Sequence, residues 1–287
     1  MKGIVLAGGT GSRLWPITRS VSKQLLPIYD KPLIYYPIST LMLAGIREIL
    51  IITTPQDQSA FQAVLGDGSR FGITIKYEIQ NEPKGLAQAY LIAEEFLAGG
   101  SSMMILGDNI FHGVGLGREL SLGENFVGAR IFSYQVTDPA QYGIINLDQD
   151  GKVVSVVEKP SESLSKLAIT GLYCFDKMAV KYAGQVKESP RGELEITSII
   201  QSYLDARNLE VTNLSRGTAW LDTGNPNSMN DASSYIRVIE ERTGLKVACL
   251  EEIAIENGWL TPEQLQLDLK LAGNGDYSKY LRLLLER

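Results

Sequence analysis

Leu6-Ala7-Gly8-Gly9-Thr10-Gly11-Ser12-Arg13-Leu14 closes an apolar, partly β-branched run that begins at residue 3. The run reads as a strand of residues 3–7, and three glycines follow it at once. Glycine lets main-chain N–H groups approach phosphate oxygens with no Cβ in the way, so a turn of this kind forms an anion-binding concavity. Two familiar phosphate patterns do not fit it. The dinucleotide fingerprint fails because Leu14 or Thr10 stands where glycine is required, and the nucleoside-triphosphatase loop fails because Gly9 stands where lysine is required. What remains is a glycine turn followed by Arg13 and, ten residues later, by Lys23 in Ser22-Lys23-Gln24-Leu25-Leu26-Pro27. A planar guanidinium and a compact ammonium together suit a polyphosphate.

Working outward, residues 49–53, 74–79 and 103–106 repeat the short apolar run, with amphipathic segments between them. In residues 86–97 the apolar side chains Leu86, Ala89, Tyr90, Ala93, Phe96 and Leu97 fall at helical spacing, which predicts one helix there. Such alternation implies an α/β fold: a Rossmann-like, mostly parallel sheet with helices on both faces. From about residue 129 the pattern changes to close strands at 130–136, 144–147, 153–157 and 171–175, with a hairpin turn at Asp148-Gln149-Asp150-Gly151. A helical section starts at Asn225-Pro226 and pauses at Gly244. A second start at Thr261-Pro262-Glu263-Gln264 has capping-box spacing and closes near Gly273. The expected organisation is an α/β core over 1–225, with a Rossmann-like part over about 1–128 and a smaller β-rich part over about 129–225, then a helical C-terminal extension over 226–287.

Composition narrows the function. The chain has 287 residues, 44% hydrophobic and 21% charged, as an ordinary packed globule does, and not a disordered or collagenous chain. A net charge of -6 argues against a nucleic-acid or anionic-membrane binder. Residues 1–50 nonetheless hold six Lys or Arg against Asp30 and Glu48, a local cationic excess fit for a small anion. Cys174 and Cys249 are too few for a disulfide framework or zinc site and read as two buried thiols. Neither a signal-peptide core nor a spanning run is present, so a cytoplasmic location is expected.

The glycine turn and the motif after it resemble the sugar-1-phosphate nucleotidyltransferase family, whose pattern Gly-Gly-x-Gly-x-Arg-Leu-x-Pro-x-Thr, then Lys-x-Leu-Leu-Pro, is met at 8–18 and 23–27. The resemblance continues in order through Gly107-Asp108-Asn109, Tyr142-Gly143, Glu158-Lys159-Pro160, Gly171-Leu172-Tyr173 and Trp220-Leu221-Asp222-Thr223-Gly224. Its helical tail is most similar to the branch that joins dTTP to glucose 1-phosphate. The same chemistry with UTP or another hexose 1-phosphate is the nearest alternative, and a nucleotide-sugar sensor without turnover is one of a different class. An NAD-dependent oxidoreductase is disfavoured by the failed fingerprint.

The resemblance implies roles: the part over about 1–128 is the expected nucleotide-binding part, and the β-rich part over about 129–225 the expected sugar-binding part. Arg13, Lys23 and Lys159 are the expected catalytic cations, and Leu6, Gly8, Gly9, Thr10, Gly11, Gln24, Gln80, Gly85 and Asp108 the expected nucleotide contacts. Tyr142, Gly143, Glu158, Lys159, Tyr173 and Arg191 are the expected sugar-phosphate contacts, with Glu193 near them. Asp108 lies after an apolar strand, where ligands of open sheets bind, and suits Mg2+ completed by substrate phosphates. Only the resemblance adds Asp222 as the second ligand. Lys159, in an extended segment before Pro160, is expected to point away from Glu158 and hold the sugar phosphate. A glutamine amide at position 80 can pair with the carbonyl and ring N–H of a pyrimidine. A phosphate monoester is already largely ionised at neutral pH, so no general base is needed and His112, the only histidine, is read as structural. The apolar tail residues Leu265, Leu267, Leu269, Leu271, Leu281, Leu283, Leu284 and Leu285 suit packing on their own domain or a subunit interface. The resemblance further implies a homotetramer with feedback by a dTDP-sugar.

Overall fold

The structure, a computed structural model, describes residues 1–9, 11–123, 126–163, 165–270 and 272–286. Thr10 and Leu271, both named above, lie outside them. Four strands, Lys2–Ala7, Glu48–Thr53, Thr74–Ile79 and Ser102–Leu106, run parallel, with Lys2–Ala7 between Glu48–Thr53 and Ser102–Leu106. Val5 stands opposite both Ile51 and Ile105, and all three are fully buried. Burial on both faces is why Lys2–Ala7, Glu48–Thr53 and Ser102–Leu106 read as continuous apolar runs, whereas the edge strand Thr74–Ile79 alternates.

The strand Leu167–Phe175 turns the sheet antiparallel, pairing along one edge with Ala129–Gln135 and along the other with Ser102–Leu106 and, at Ala168, with Gly143–Leu147. Val153–Glu158 follows Gly143–Leu147 through the expected hairpin, in which Gly151 takes φ 77°. Leu209–Asn213, which no sequence signal identified, lies parallel to Ala129–Gln135 and completes nine strands. One sheet face packs on Ile38, Leu41, Phe61 and Phe71, the other on Tyr90, Ile199 and Tyr203.

The helix expected over 86–97 is two: Gln88–Ile92 and Glu94–Leu97. They divide at Ala93, whose ψ of 0° leaves the helical path although its N–H still reaches the Ala89 carbonyl. The later helix signals hold. Asn225 caps Pro226–Thr243 through the Ser228 N–H, and Gly244 ends that helix in the left-handed region. Thr261 and Gln264 form a reciprocal capping box at the start of Pro262–Leu269, a helix that stops before Gly273.

The tail packs on its own chain through Leu265, Leu269 and Leu281, all buried, while Leu267 and Leu283 stay exposed. An ionic cluster fastens it to the segment after Lys23. Lys31 Nζ donates to Glu240 Oε1 at 2.9 Å, Lys246 Nζ to Glu240 Oε2 at 2.7 Å, and both lysines also meet Asp30. Lys31 and Glu240 are almost fully buried, and the Val247 N–H adds a third bond to Glu240. Among the described residues no helix is long and apolar enough to cross a membrane.

Candidate active site

At the carboxyl ends of the parallel strands a two-stranded ribbon, Asn109–His112 with Ala219–Asp222, brings distant motifs together. Its register sets Asp222 opposite Asn109, and the Thr223 hydroxyl donates to the Asp108 carbonyl at 2.9 Å. Sequence spacing alone could not have joined residues 108 and 222. The Asp108 carboxylate is held from two sides: Lys23 Nζ donates to Oδ2 at 2.6 Å and Asn109 Nδ2 to Oδ1 at 2.8 Å. The Trp220 indole N–H donates to Asn109 Oδ1 at 2.6 Å. An indole can only donate, so it fixes which way the Asn109 amide faces. Burial, then the neighbouring Asp108 charge, pushes the Asp222 carboxyl above the ordinary range; Lys23, Arg13 and Lys159 pull against that. Two carboxylates kept close at such a cost form a donor set suited to a hard divalent cation. Among the described residues no three His, Cys, Asp or Glu side chains cluster as a closed metal site, so phosphate oxygens would have to complete the shell.

Two cavities meet at this point. The smaller, about 230 Å³, is lined by Leu6, Gly9, Gln24, Gln80, Gly85 and Asp108, with Pro83 beside them. The larger, about 490 Å³, is lined by Arg13, Asp108, Tyr142, Gly143, Glu158, Lys159, Tyr173, Arg191 and Asp222. Asp108, Leu86, Leu106 and Glu193 border both. Of the residues singled out in the sequence, Lys23, Gly8 and Gly11 lie just behind the cavity walls. Lys23 is spent on Asp108. A Cβ on Gly8 would come within 2.4 Å of Gln80 Oε1, and one on Gly11, at φ 60°, within 2.8 Å of Thr18 Cγ2. The glycine turn is therefore required both by close approach and by conformation.

Lys159 departs from expectation. It lies past the end of the strand, at φ 39°, a left-handed conformation that costs a lysine energy. Its N–H donates to the Tyr142 carbonyl at 3.0 Å, and its ammonium stands 4.0 Å from Glu158 Oε1. The two charges thus enter one cavity instead of pointing apart, because the backbone has left the strand alternation. Arg191 meets three carboxylates: Glu193 at 3.2 Å, Glu195 at 3.3 Å and Glu158 at 3.6 Å. Burial and the Glu195 charge raise the Glu158 pKa above its ordinary value. His112 lies outside both cavities with Nδ1 2.8 Å from the Tyr235 hydroxyl, and burial lowers its pKa, in keeping with a structural role. Cys174 and Cys249 are buried free thiols.

The sequence reading missed Thr197, which bonds Glu158, as well as Gln141 and the orienting pair Asn109 and Trp220. Asn109 and Trp220 stood inside quoted motifs, and only their partners gave no signal. Gly85, at φ 113°, lies against the Leu194 backbone. Leu194 donates its N–H to the Lys84 carbonyl at 2.6 Å and accepts the Ala87 N–H at 3.0 Å, so the 189–195 loop is stitched to the nucleotide-side turn.

The profile described as Nucleotidyl transferase matches residues 2–238. A glucose-1-phosphate thymidylyltransferase of Xanthomonas campestris pv. campestris is 53% identical over 287 residues, covering 100% of this chain and 97% of the relative. One of Mycolicibacterium smegmatis with the same name is 51% identical and covers 100% of both chains. The structure of a candidate glucose-1-phosphate thymidylyltransferase from Bacillus anthracis, solved with sucrose, superposes with a TM-score of 0.76 at 37% identity, over 83% of this chain and 95% of that one. The chain thus belongs to the nucleotidyl transferase family, among its glucose-1-phosphate thymidylyltransferases.

Proposed function

We propose that the chain transfers a thymidylyl group from dTTP to α-D-glucose 1-phosphate, giving dTDP-glucose and pyrophosphate. The observation that carries this reading is the pair of joined cavities with Asp108 at their border: one side offers glycines and two glutamine amides, the other cations, two tyrosines and the Glu158 carboxylate. A nucleoside triphosphate in the smaller cavity would set its α-phosphorus beside Asp108, facing a sugar phosphate in the larger one. An oxygen of the sugar phosphate then forms a bond to the α-phosphorus while the bond to the bridging oxygen breaks and pyrophosphate leaves. No proton need move, because the monoester is largely a dianion at neutral pH.

Catalysis is then positioning and charge neutralisation. Lys159 and Arg191 offset the charge of the incoming phosphate, Arg13 that of the triphosphate, and Lys23 holds the Asp108 carboxylate in place. Glu158, held by Thr197, accepts sugar hydroxyls beside Tyr142 and Tyr173. Leu6, Gly8, Gly9 and Gly11 shape the main-chain cradle, with Gln24, Gln80 and Gly85 around the base. Asp108 and Asp222 would hold Mg2+, which when bound neutralises phosphate charge and orients the reacting groups. We read residues 1–225 as the unit that holds both substrates, and a cytoplasmic homotetramer with feedback by a dTDP-sugar as the physiological setting.

The test is pyrophosphate release across dTTP, UTP, dCTP and dATP, each paired with several hexose 1-phosphates, with and without Mg2+. The expected result is metal-dependent release that is strongest for dTTP with glucose 1-phosphate. Binding without release for every pair would instead establish a sensor.

A further inference from the structure

Gln88 opens the short helix Gln88–Ile92 and lines neither cavity, yet its side chain reaches the Gln80 amide. Its Oε1 accepts two hydrogen bonds, from the Lys84 main-chain N–H at 3.1 Å and from Gln80 Nε2 at 2.8 Å. A main-chain N–H can only donate, so the Gln88 atom in front of it must be the carbonyl oxygen. The Gln80 atom facing that oxygen must in turn be the amide nitrogen. Gln80 Oε1 is thereby turned the other way, over Gly8, where a Cβ would lie 2.4 Å from it. Gln80 itself is 4% exposed and its N–H is tied to the Thr53 carbonyl, so backbone and amide are both fixed.

The amide keeps one N–H and its oxygen for a ligand, in one spatial order. Thymine and uracil present a carbonyl oxygen beside a ring N–H, and need a donor and an acceptor in that order. Cytosine presents an amino group beside an unprotonated ring nitrogen and needs the reverse. Turning the Gln80 amide by half a revolution exchanges the two. We propose that Gln88 is a positioning residue that locks the Gln80 amide in the orientation that reads a keto pyrimidine and rejects an amino pyrimidine. This rests on the reading of Gln80 as the residue that meets the base.

The test uses the full chain with glucose 1-phosphate and Mg2+, and measures the ratio of kcat/KM for dTTP to that for dCTP by direct competition. Gln88→Met keeps the length and helix propensity of the side chain but has no acceptor for either donor. Gln88→Glu keeps acceptor oxygens for both. Gln80→Ala reports on the base reading itself. The expected ratio falls about tenfold in Gln88→Met, the worth of one hydrogen bond, mostly through the KM for dTTP, and stays within about threefold of the parent in Gln88→Glu. The KM for glucose 1-phosphate stays unchanged in both, which a general loosening of the helix would not allow. If Gln80→Ala lowers the ratio but Gln88→Met holds it within about threefold, or if Gln88→Glu lowers it as far as Gln88→Met, the proposal is overturned while the base reading stands. If Gln80→Ala leaves the ratio unchanged, the base reading fails and takes the proposal with it.

Discussion

Glu240→Gln removes one charge from the cluster that fastens the C-terminal helices to the segment following Lys23. Its two lysines and two carboxylates are balanced in the parent; the substitution leaves Lys31, whose side chain is only 2% exposed, and Lys246 to share the single carboxylate of Asp30, one positive charge in excess. Glutamine fills nearly the same volume but offers one acceptor oxygen where Glu240 serves Lys31, Lys246 and the Val247 N–H. Removing one partner of a buried ion pair costs about 3–5 kcal/mol, chiefly because the other charge stays desolvated. At about 2–4 °C per kcal/mol for a chain of this order, the melting temperature should fall by about 10 °C. Calorimetry at low salt and at about 0.5 M NaCl is the assay, since burial shields the cluster from screening. Glu241→Gln, one residue on, breaks an exposed pair with Arg237 and should cost under about 1 kcal/mol. The reasoning is refuted if Glu240→Gln melts within about 3 °C of the parent, or if salt erases the difference.

Lys159→Ala should raise the KM for glucose 1-phosphate by about 10- to 100-fold, the worth of a hydrogen bond to a charged group, and leave the KM for dTTP nearly unchanged. An equal rise for both substrates in steady-state kinetics would remove Lys159 from the sugar-phosphate side. Glu251→Gln tests a pH effect of known sign. Burial holds the Glu251 carboxyl above its ordinary 4.5, even though the Tyr277 hydroxyl donates to it at 2.6 Å and Arg70 lies near. The folded chain therefore binds that proton more tightly than the unfolded chain, and this residue's contribution falls as pH rises from 4.5 through the folded value. Glutamine keeps an oxygen for Tyr277 and does not titrate, so urea unfolding should show the variant gaining on the parent from pH 4 to pH 8. A constant difference across that range would show that Glu251 does not titrate as described.

Three of the parallel strands were legible because they are buried on both faces and bounded by glycine or polar turns; the fourth, Thr74–Ile79, lies at the edge and alternates, and it begins and ends where that pattern does. Helix starts were legible where a side chain does the capping, at Asn225 and Thr261. Patterns carried by contacts remote in the chain were not. Leu209–Asn213 has only a half-buried alternation, and its strand character comes from pairing with Ala129–Gln135. Ala93 looks helical by composition, and nothing in its type announces the ψ of 0° that divides two helices. At the candidate site, charged and glycine residues could be named from motifs, whereas the side chains that aim them could not. Trp220 acts through Asn109 on Asp108, and Gln88 through Gln80, across separations for which local spacing has no rule. The strained backbone at Lys159 hid the same way: a lysine before proline reads as extended, and only the folded chain turns it back toward Glu158.

The stitch at Leu194 sets how the two compartments communicate. Both main-chain groups of this residue are committed to the 84–87 turn, and Gly85 leaves no space between them. Withdrawing the strip would strand two hydrogen-bonding groups at about 1 kcal/mol each. The partition that carries Glu193 is therefore a fixed wall, standing before any ligand arrives. The chambers share Leu86, Leu106 and Asp108 along with Glu193 at their border, so on the proposed reading the barrier that keeps sugar and base apart is also what brings their phosphates face to face.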